Sequence, residues 1–312
     1  MNLGAHLLLS RTLTCRYSAL YVVIGLPLEP YVEDMKAFCE QLGLHNQDQC
    51  VALILPYHQL ALNLMGRSDD PLVLTGEAMN QEAFLKIEDS DEDRDMGVAA
   101  VNFDFVLLML AYIFQDKDMI ESRWKDDHGK KGVISGSHFL NYFDILFNGM
   151  AAYFLYRSTK KKKYLVQAKR YQSRMKQLVK RCGLNTHAMY LLLLAERQSL
   201  KADVNTARKY YDNAISCFAR TGFIHLEAIA CERAGDYMDK FSDKFWSLSY
   251  YDRARLRYIE WGAIAKAHQL KELHGLNNYE SRPDKSNVLI SVRGRRRYDP
   301  SNWQVIDDSS GP

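Results

Sequence analysis

The sequence predicts an all-α protein: an α-solenoid of antiparallel helix pairs followed by a disordered C-terminal tail. Three observations predict it. Apolar residues recur at helical spacing, only 7 Pro and 17 Gly interrupt 312 residues, and one segment repeats itself at an offset of 40 residues. Sparse breakers with long intervals between them favour long helices. A hydrophobic share of 47% and a charged share of 25% belong to a globular chain with a core to bury.

The elements follow in order. The first hydrophobic segment ends at Gly25-Leu26-Pro27. Its first acidic residue is Glu29, and Arg11 and Arg16 lie among Ser and Thr, a composition shared by transit peptides and by helices with a basic face. The helical reading is adopted. A helix beginning near Gln47 is closed by the breakers from Gly66 to Pro71. Glu88 to Asp95 reads as an acidic, solvated loop, and Lys125 to Ser137, with Gly129, Gly132 and Gly136, as a flexible one. The most apolar run, Phe105 to Phe114, is too short to cross a bilayer. Phe139, Phe143, Leu146, Met150 and Phe154 make one buried helical face, and Leu165, Ala168, Met175, Leu178 and Cys182 another. Ala188 to Ala195 is apolar all round, which places it between two neighbouring helices. Beyond Gly275 the pattern changes: residues 277–312 are polar, broken by Pro283 and Pro300, and read as a disordered tail with a short strand at Val288 to Val292. Two regions result, a helical domain over 1–276 and a tail over 277–312.

The repeat is the most informative feature. At the 40-residue offset Tyr210 and Tyr211 fall on Tyr250 and Tyr251, Asp212 on Asp252, Ala214 on Ala254, Phe218 on Tyr258, Gly222 on Gly262 and Ile224 on Ile264. Ala214 and Ala254 let a neighbouring helix approach, and the aromatic residues three before and four after each fill the grooves beside it. Gly222 and Gly262 suit the left-handed conformation that ends a helix. The spacing Ala207, Tyr211, Ala214, with Ala195 twelve residues earlier, matches a tetratricopeptide unit; Gly235 stands in the same place before Ser247. The 40-residue period exceeds the roughly 34 of the standard unit, so each helix gains about a turn and the fold is TPR-like, not a strict TPR.

Two motifs carry a family resemblance. One runs Tyr211-x-x-Ala214-Ile215, Gly222-Phe223, Glu227-Ala228, Ala230 and Glu232; the other runs Tyr250, Ala254, Tyr258, Trp261-Gly262-Ala263, Ala265-Lys266 and Leu270. Weaker echoes are Gly25-Leu26-Pro27-Leu28 and Leu74-Thr75-Gly76-Glu77. At these residues the chain resembles the helical region of very large signalling proteins built around a predicted P-loop ATPase. Among these are hybrid sensor histidine kinases and serine/threonine kinases of bacteria, fungi and some algae. The resemblance spans roughly residues 20–275. It departs at Phe218, where the family carries a small residue, and the ATPase, kinase and cyclase modules are absent from these residues. No catalytic residue therefore carries over. The resemblance implies a cytoplasmic, non-catalytic interaction module of signal transduction, or a segment of a multidomain ATPase and histidine kinase.

Local motifs for chemistry fail on spacing. Gly129-Lys130 is the only Gly-Lys pair and lacks the upstream Gly of a phosphate-binding loop. Asp89, Asp91, Asp93 and Asp95 alternate like a calcium loop, but Arg94 and Ala100 stand where it needs Gly and Glu. None of the six Cys forms a C-x-x-C pair, and no zinc, G-x-S-x-G or papain-like motif occurs. Scattered single Cys read as reduced thiols of an intracellular protein. His225, His268 and His274 read as core or surface histidines. No cofactor, metal or catalytic residue is assigned.

One charged feature has weight. Arg157 to Arg181 holds eleven cations and no acid, with Tyr164 and Tyr171 interleaved. The candidate partner-binding face is Lys160, Lys161, Lys162, Lys163, Lys169, Arg170 and Arg174. It reads first as a solvated outer face. As a binding face it suits an acidic protein or membrane surface ahead of a nucleic acid. Arg293-Gly294-Arg295-Arg296-Arg297 resembles a nuclear signal of a kind common by chance. The motif residues Tyr211, Ala214, Gly222, Glu227, Tyr250, Ala254, Tyr258, Trp261, Gly262 and Lys266 are assigned structural roles, and the concave side of the repeat is the expected partner surface.

Overall fold

A computed structural model describes residues 3–90, 94–126 and 138–276, all within one compact unit ending at Leu276. Among the described residues every regular element is an α-helix. The helices are α1 (Leu3–Ile24), α2 (Leu28–Leu44), α3 (Asp48–Met65), α4 (Gln81–Ser90), α5 (Arg94–Phe114), α6 (Lys117–Asp126) and α7 (His138–Thr159). The chain continues through α8 (Lys162–Cys182), α9 (Leu184–Gln198), α10 (Val204–Thr221), α11 (Ile224–Lys240), α12 (Lys244–Trp261) and α13 (Ile264–His274). The expected acidic loop is largely helical, since α4 runs to Ser90 and α5 starts at Arg94; an Asp/Glu-rich segment forms a helix readily when Phe84 can anchor it on Phe103. Residues 91–93, most of the expected loop at 125–137, and the whole tail with its strand and arginine run lie outside the described residues. No described helix is long and apolar enough to cross a membrane.

The repeat sets the geometry of the second half. Both α10 and α12 start on an aspartate cap: Asp203 accepts from the Thr206 N–H at 3.0 Å, and Asp243 from the Trp246 N–H at 3.2 Å. Both end on a left-handed glycine, Gly222 at φ 79° and Gly262 at φ 96°. The capping aspartates thus share the 40-residue offset of the glycines. Short connectors then fold each helix back on its predecessor, so α9 packs on α10, α10 on α11, α11 on α12 and α12 on α13. Ala214 and Ala254 are fully buried where the helices meet. The small residue on the first helix of each pair has the expected cause: a Cβ on Gly235 would stand 2.6 Å from the Tyr251 ring. Phe218, the departure from the family pattern, is fully buried and turns its ring edge to Phe223.

The two predicted stripes are inward faces. Phe143, Leu146 and Met150 of α7 are fully buried, with Phe154 partly so. On α8 the buried line is Tyr164, Ala168, Gln172 and Met175, with Leu165 and Leu178 at its margins. Ala188 to Ala195 of α9 is buried apart from Tyr190, between α7, α8 and α10.

The N-terminal helices close on the C-terminal ones. α3 packs on α5 and α13, and α1 touches α7. The joint between α1 and α2 abuts α11 so closely that a Cβ on Gly25 would stand 2.1 Å from His225 Nδ1. Leu28 lies against Gly262 in the same way, 3.3 Å from where its Cβ would be. Trp261 is fully buried and its ring lies 5.2 Å from that of His225, which also faces Phe143 and Phe223. The inner side of α11 and α13, expected as an open partner surface, is thus covered by helices of the same chain.

Trp261→Ala is expected to remove about 3–5 kcal/mol of stability and to lower Tm on the order of 10 °C, measured by thermal denaturation. An unchanged Tm would place Trp261 outside the core.

Candidate functional site: a buried ion cluster and an exposed basic helix

Each repeat holds an acid against its central tyrosine. The Tyr211 hydroxyl donates to Glu196 Oε1 at 3.0 Å, and the Tyr251 hydroxyl donates to Asp236 Oδ1 at 2.9 Å. In both cases the acid lies fifteen residues before the tyrosine, on the preceding helix. Glu196 is fully buried and needs a cation, and the half-buried Asp236 also gains one. Arg157 of α7 supplies one to Glu196 at 2.6 Å, and Arg233 supplies one to Asp236 at 3.1 Å. Arg157, counted from sequence with the exposed basic run, therefore turns inward: Glu196 is fully buried and draws it across from α7.

Glu232 forms the centre of the cluster. Its Oε1 accepts from Gln115 Nε2 at 2.7 Å and forms ion pairs with Lys266 Nζ at 2.7 Å and Arg233 at 2.8 Å; its Oε2 accepts from the Tyr258 hydroxyl at 2.7 Å. Glu232, Arg233 and Lys266 side chains are at most 3% exposed. Burial alone would push the Glu232 carboxyl up, yet Lys266 and Arg233 beside it hold it down at about 2. Burial pushes the Lys266 ammonium below its ordinary value against the pull of Glu232. It likewise raises the Asp236 carboxyl, opposed by Arg233. The Tyr112 ring of α5 lies under the Arg233 guanidinium at 5.8 Å. With two hydrogen bonds and two ion pairs on Glu232, the cluster ties α11, α12, α13 and the turn after α5 to one register and presents no free oxygen to a substrate.

A further carboxylate, Glu227, is 3% exposed and accepts from Arg253 at 2.8 Å and Arg257 at 3.0 Å. Cys231, one turn on in α11, is fully buried, and burial pushes its thiol up to about 12, far from a reactive thiolate. Tyr250 donates to Asp212 at 2.5 Å, linking α12 to α10. The motif residues Tyr211, Ala214, Glu227, Tyr250, Ala254, Tyr258, Trp261 and Lys266 are thus packing or ion-pairing positions, and Gly222 and Gly262 are caps. Among the described residues no group of three His, Cys, Asp or Glu side chains is placed to hold a metal ion.

The basic helix stands apart from this core. On α8 and the connector before it Lys160, Lys161, Lys162, Lys163, Lys169 and Arg170 are exposed, and Arg174 is half-buried beside the Tyr171 ring. Lys161 is neutralised by Glu121 of α6 at 2.8 Å. Among the described residues no acid pairs with Lys162, Lys169 or Arg170 in a salt bridge. Val166 is 64% exposed within the same face. The interleaved tyrosines turn inward: Tyr164 is 1% exposed with its hydroxyl on Glu121, and Tyr171 packs against Trp124.

No family model, curated protein or solved structure matches the chain. Its likeness to the signalling family rests on the two sequence motifs alone.

Sequence reasoning missed Arg157, Glu196, Arg233 and Gln115. A signal was present: Glu196 and Asp236 share the 40-residue offset of the tyrosines they bind.

Two outcomes follow for stability. Glu232→Gln leaves Lys266 buried without its anion and Arg233 with Asp236 alone, and is expected to cost about 3–5 kcal/mol in chemical denaturation. Acid destabilises the fold by two routes. His225 has no hydrogen-bond partner for either ring nitrogen, and burial pushes its pKa to about 3 against 6.5 unfolded. The unfolded chain therefore binds the proton first, and stability falls as pH drops from 6.5 towards 3. The Glu232 contribution is lost lower, as pH falls from 4.5 towards 2. Denaturation at pH 7 and about pH 5 should show a smaller loss in His225→Phe than in the parent chain. Some loss persists, because His58, His187 and His274 are also pushed down by burial.

Proposed function

We propose that the chain is a non-catalytic helical-repeat scaffold of the cytoplasm that recruits an acidic protein through the outer face of α8. The observation that carries this reading is the row Lys162, Lys169 and Arg170, exposed and without a salt-bridge partner among the described residues, on a helix whose opposite face is locked into the core. Like charges cost least when dispersed or neutralised, so a concentrated row favours a partner that neutralises it. The row runs along about 12 Å of helix, enough for more than one contact in a single approach. A protein partner suits this face better than a nucleic acid, because Tyr164 and Tyr171 face the core and offer bases nothing to stack on. The signalling context comes from the motif resemblance, in which such helical regions stand between ATPase and output modules.

A fluorescent poly-glutamate peptide is the first probe. The full chain should bind it with an affinity that falls steeply between low and physiological salt. The double change Lys162→Glu with Lys169→Glu should weaken binding by roughly tenfold or more without lowering Tm, since both side chains are exposed. Salt-independent binding, or equal binding by the variant, would remove α8 as the recognition face. Tighter salt-dependent binding to single-stranded RNA than to the peptide would favour the nucleic-acid reading instead.

A further inference from the structure

The outer helices of the repeat array allow an internal comparison. On α10 the outward positions are Asn205, Lys209, Ser216, Ala219 and Arg220, all exposed and all but one polar. Forty residues on, α12 places Phe245, Ser249, Leu256, Ile259 and Glu260 at the same positions with the same exposure. Phe245 is 68% exposed, Leu256 45% and Ile259 43%. Half-buried Leu248 lies on the same side, opposite the core line of Tyr251, Ala254, Tyr258 and Trp261. Three of the five equivalent sites are thus large and apolar on α12 where α10 has Asn205, Ser216 and Ala219, and exposed large apolar residues on one helix face mark a contact surface.

The stripe is symmetric about its own middle. Phe245, Leu248, Asp252, Leu256 and Ile259 are separated by three, four, four and three residues. The charges invert across the same centre: Lys244 lies eight residues before Asp252 and Glu260 eight after, and their side chains are 72% and 48% exposed. We infer that α12 is a homodimerisation helix, packing antiparallel on α12 of a second copy about a two-fold axis at Asp252. This arrangement sets Phe245 on the second copy's Ile259, Leu248 on its Leu256 and Lys244 against its Glu260, so one patch completes itself. A parallel pairing would instead set Lys244 on Lys244 and Glu260 on Glu260. Asp252 itself is buried by its own chain and paired with Arg255 at 2.9 Å, so the axis passes over a neutralised pair and not over two exposed carboxylates. The apolar seam is ~21 Å long, which makes a small interface and a dimer of modest affinity. It uses a different helix from the basic face, so the two readings stand or fall separately.

Sedimentation velocity on the full chain decides it, run from roughly 1 to 100 µM, where small interfaces associate. A monomer–dimer equilibrium is expected. Leu256→Glu should raise the dissociation constant by about a hundredfold or more, with unchanged helix content by circular dichroism. Should that variant lose its fold, Phe245→Ser changes a more exposed residue and carries the same expectation. Lys244→Glu alone should weaken the dimer, and Lys244→Glu with Glu260→Lys should restore it, because the two-fold then pairs the exchanged charges. A monomer at every concentration overturns the inference, as when the stripe instead receives a helix of another protein. So does a dimer indifferent to Leu256→Glu, or a charge exchange that fails to recover association.

Discussion

The Glu232 carboxylate is the constraint on which the C-terminal packing depends. A charge this deep survives only if its oxygens are filled with donors. Here Gln115 after α5, Arg233 of α11, Tyr258 of α12 and Lys266 of α13 fill them. Apolar contacts tolerate a helix sliding by part of a turn; two hydrogen bonds and two ion pairs converging on one carboxylate do not. Hydrophobic burial supplies the bulk of the driving force, and the ion cluster selects one register among the packings that burial alone would accept.

The repeats show how one device is supplied differently in successive units. Each places an acid against the central tyrosine, but the counter-ion comes from α7 in the first case and from the same helix in the second. The second unit gains a further acid, Glu232, and with it the reach to α5 and α13. That extra reach brings the N-terminal helices onto the inner side of the repeat. The outward helices differ in character: α8 is basic, and α12 exposes Phe245, Leu256 and Ile259.

Much of this was legible in the residues. Helical periodicity and the 40-residue offset gave the all-α repeat, the caps at Gly222 and Gly262, and the burial of Trp261, because each depends on local spacing. The stripe of α8 was displaced slightly towards Tyr164 and Gln172, since polar residues that pair in the core look like surface residues in a sequence. Arg157 was hidden for the same reason: among ten other cations nothing local distinguishes the one with a buried acid opposite. The helical ends within Glu88 to Asp95 were read as loop because that stretch is almost wholly charged and carries no apolar anchor of its own. The closure of Gly25 on His225 joins positions 200 residues apart and leaves no periodic trace.

The bond from Gln269 to the Phe114 carbonyl spans 155 residues of chain. At a ribosomal pace of about 5–20 residues per second, α5 emerges roughly ten to thirty seconds before the helix that covers its end. Through that interval α3, then α6 and α7, come to cover the apolar run from Phe105 to Phe114, while its end at Phe114 waits for α13. Nascent-chain protection, by a chaperone or by provisional packing on α3, thus becomes part of how this protein is made.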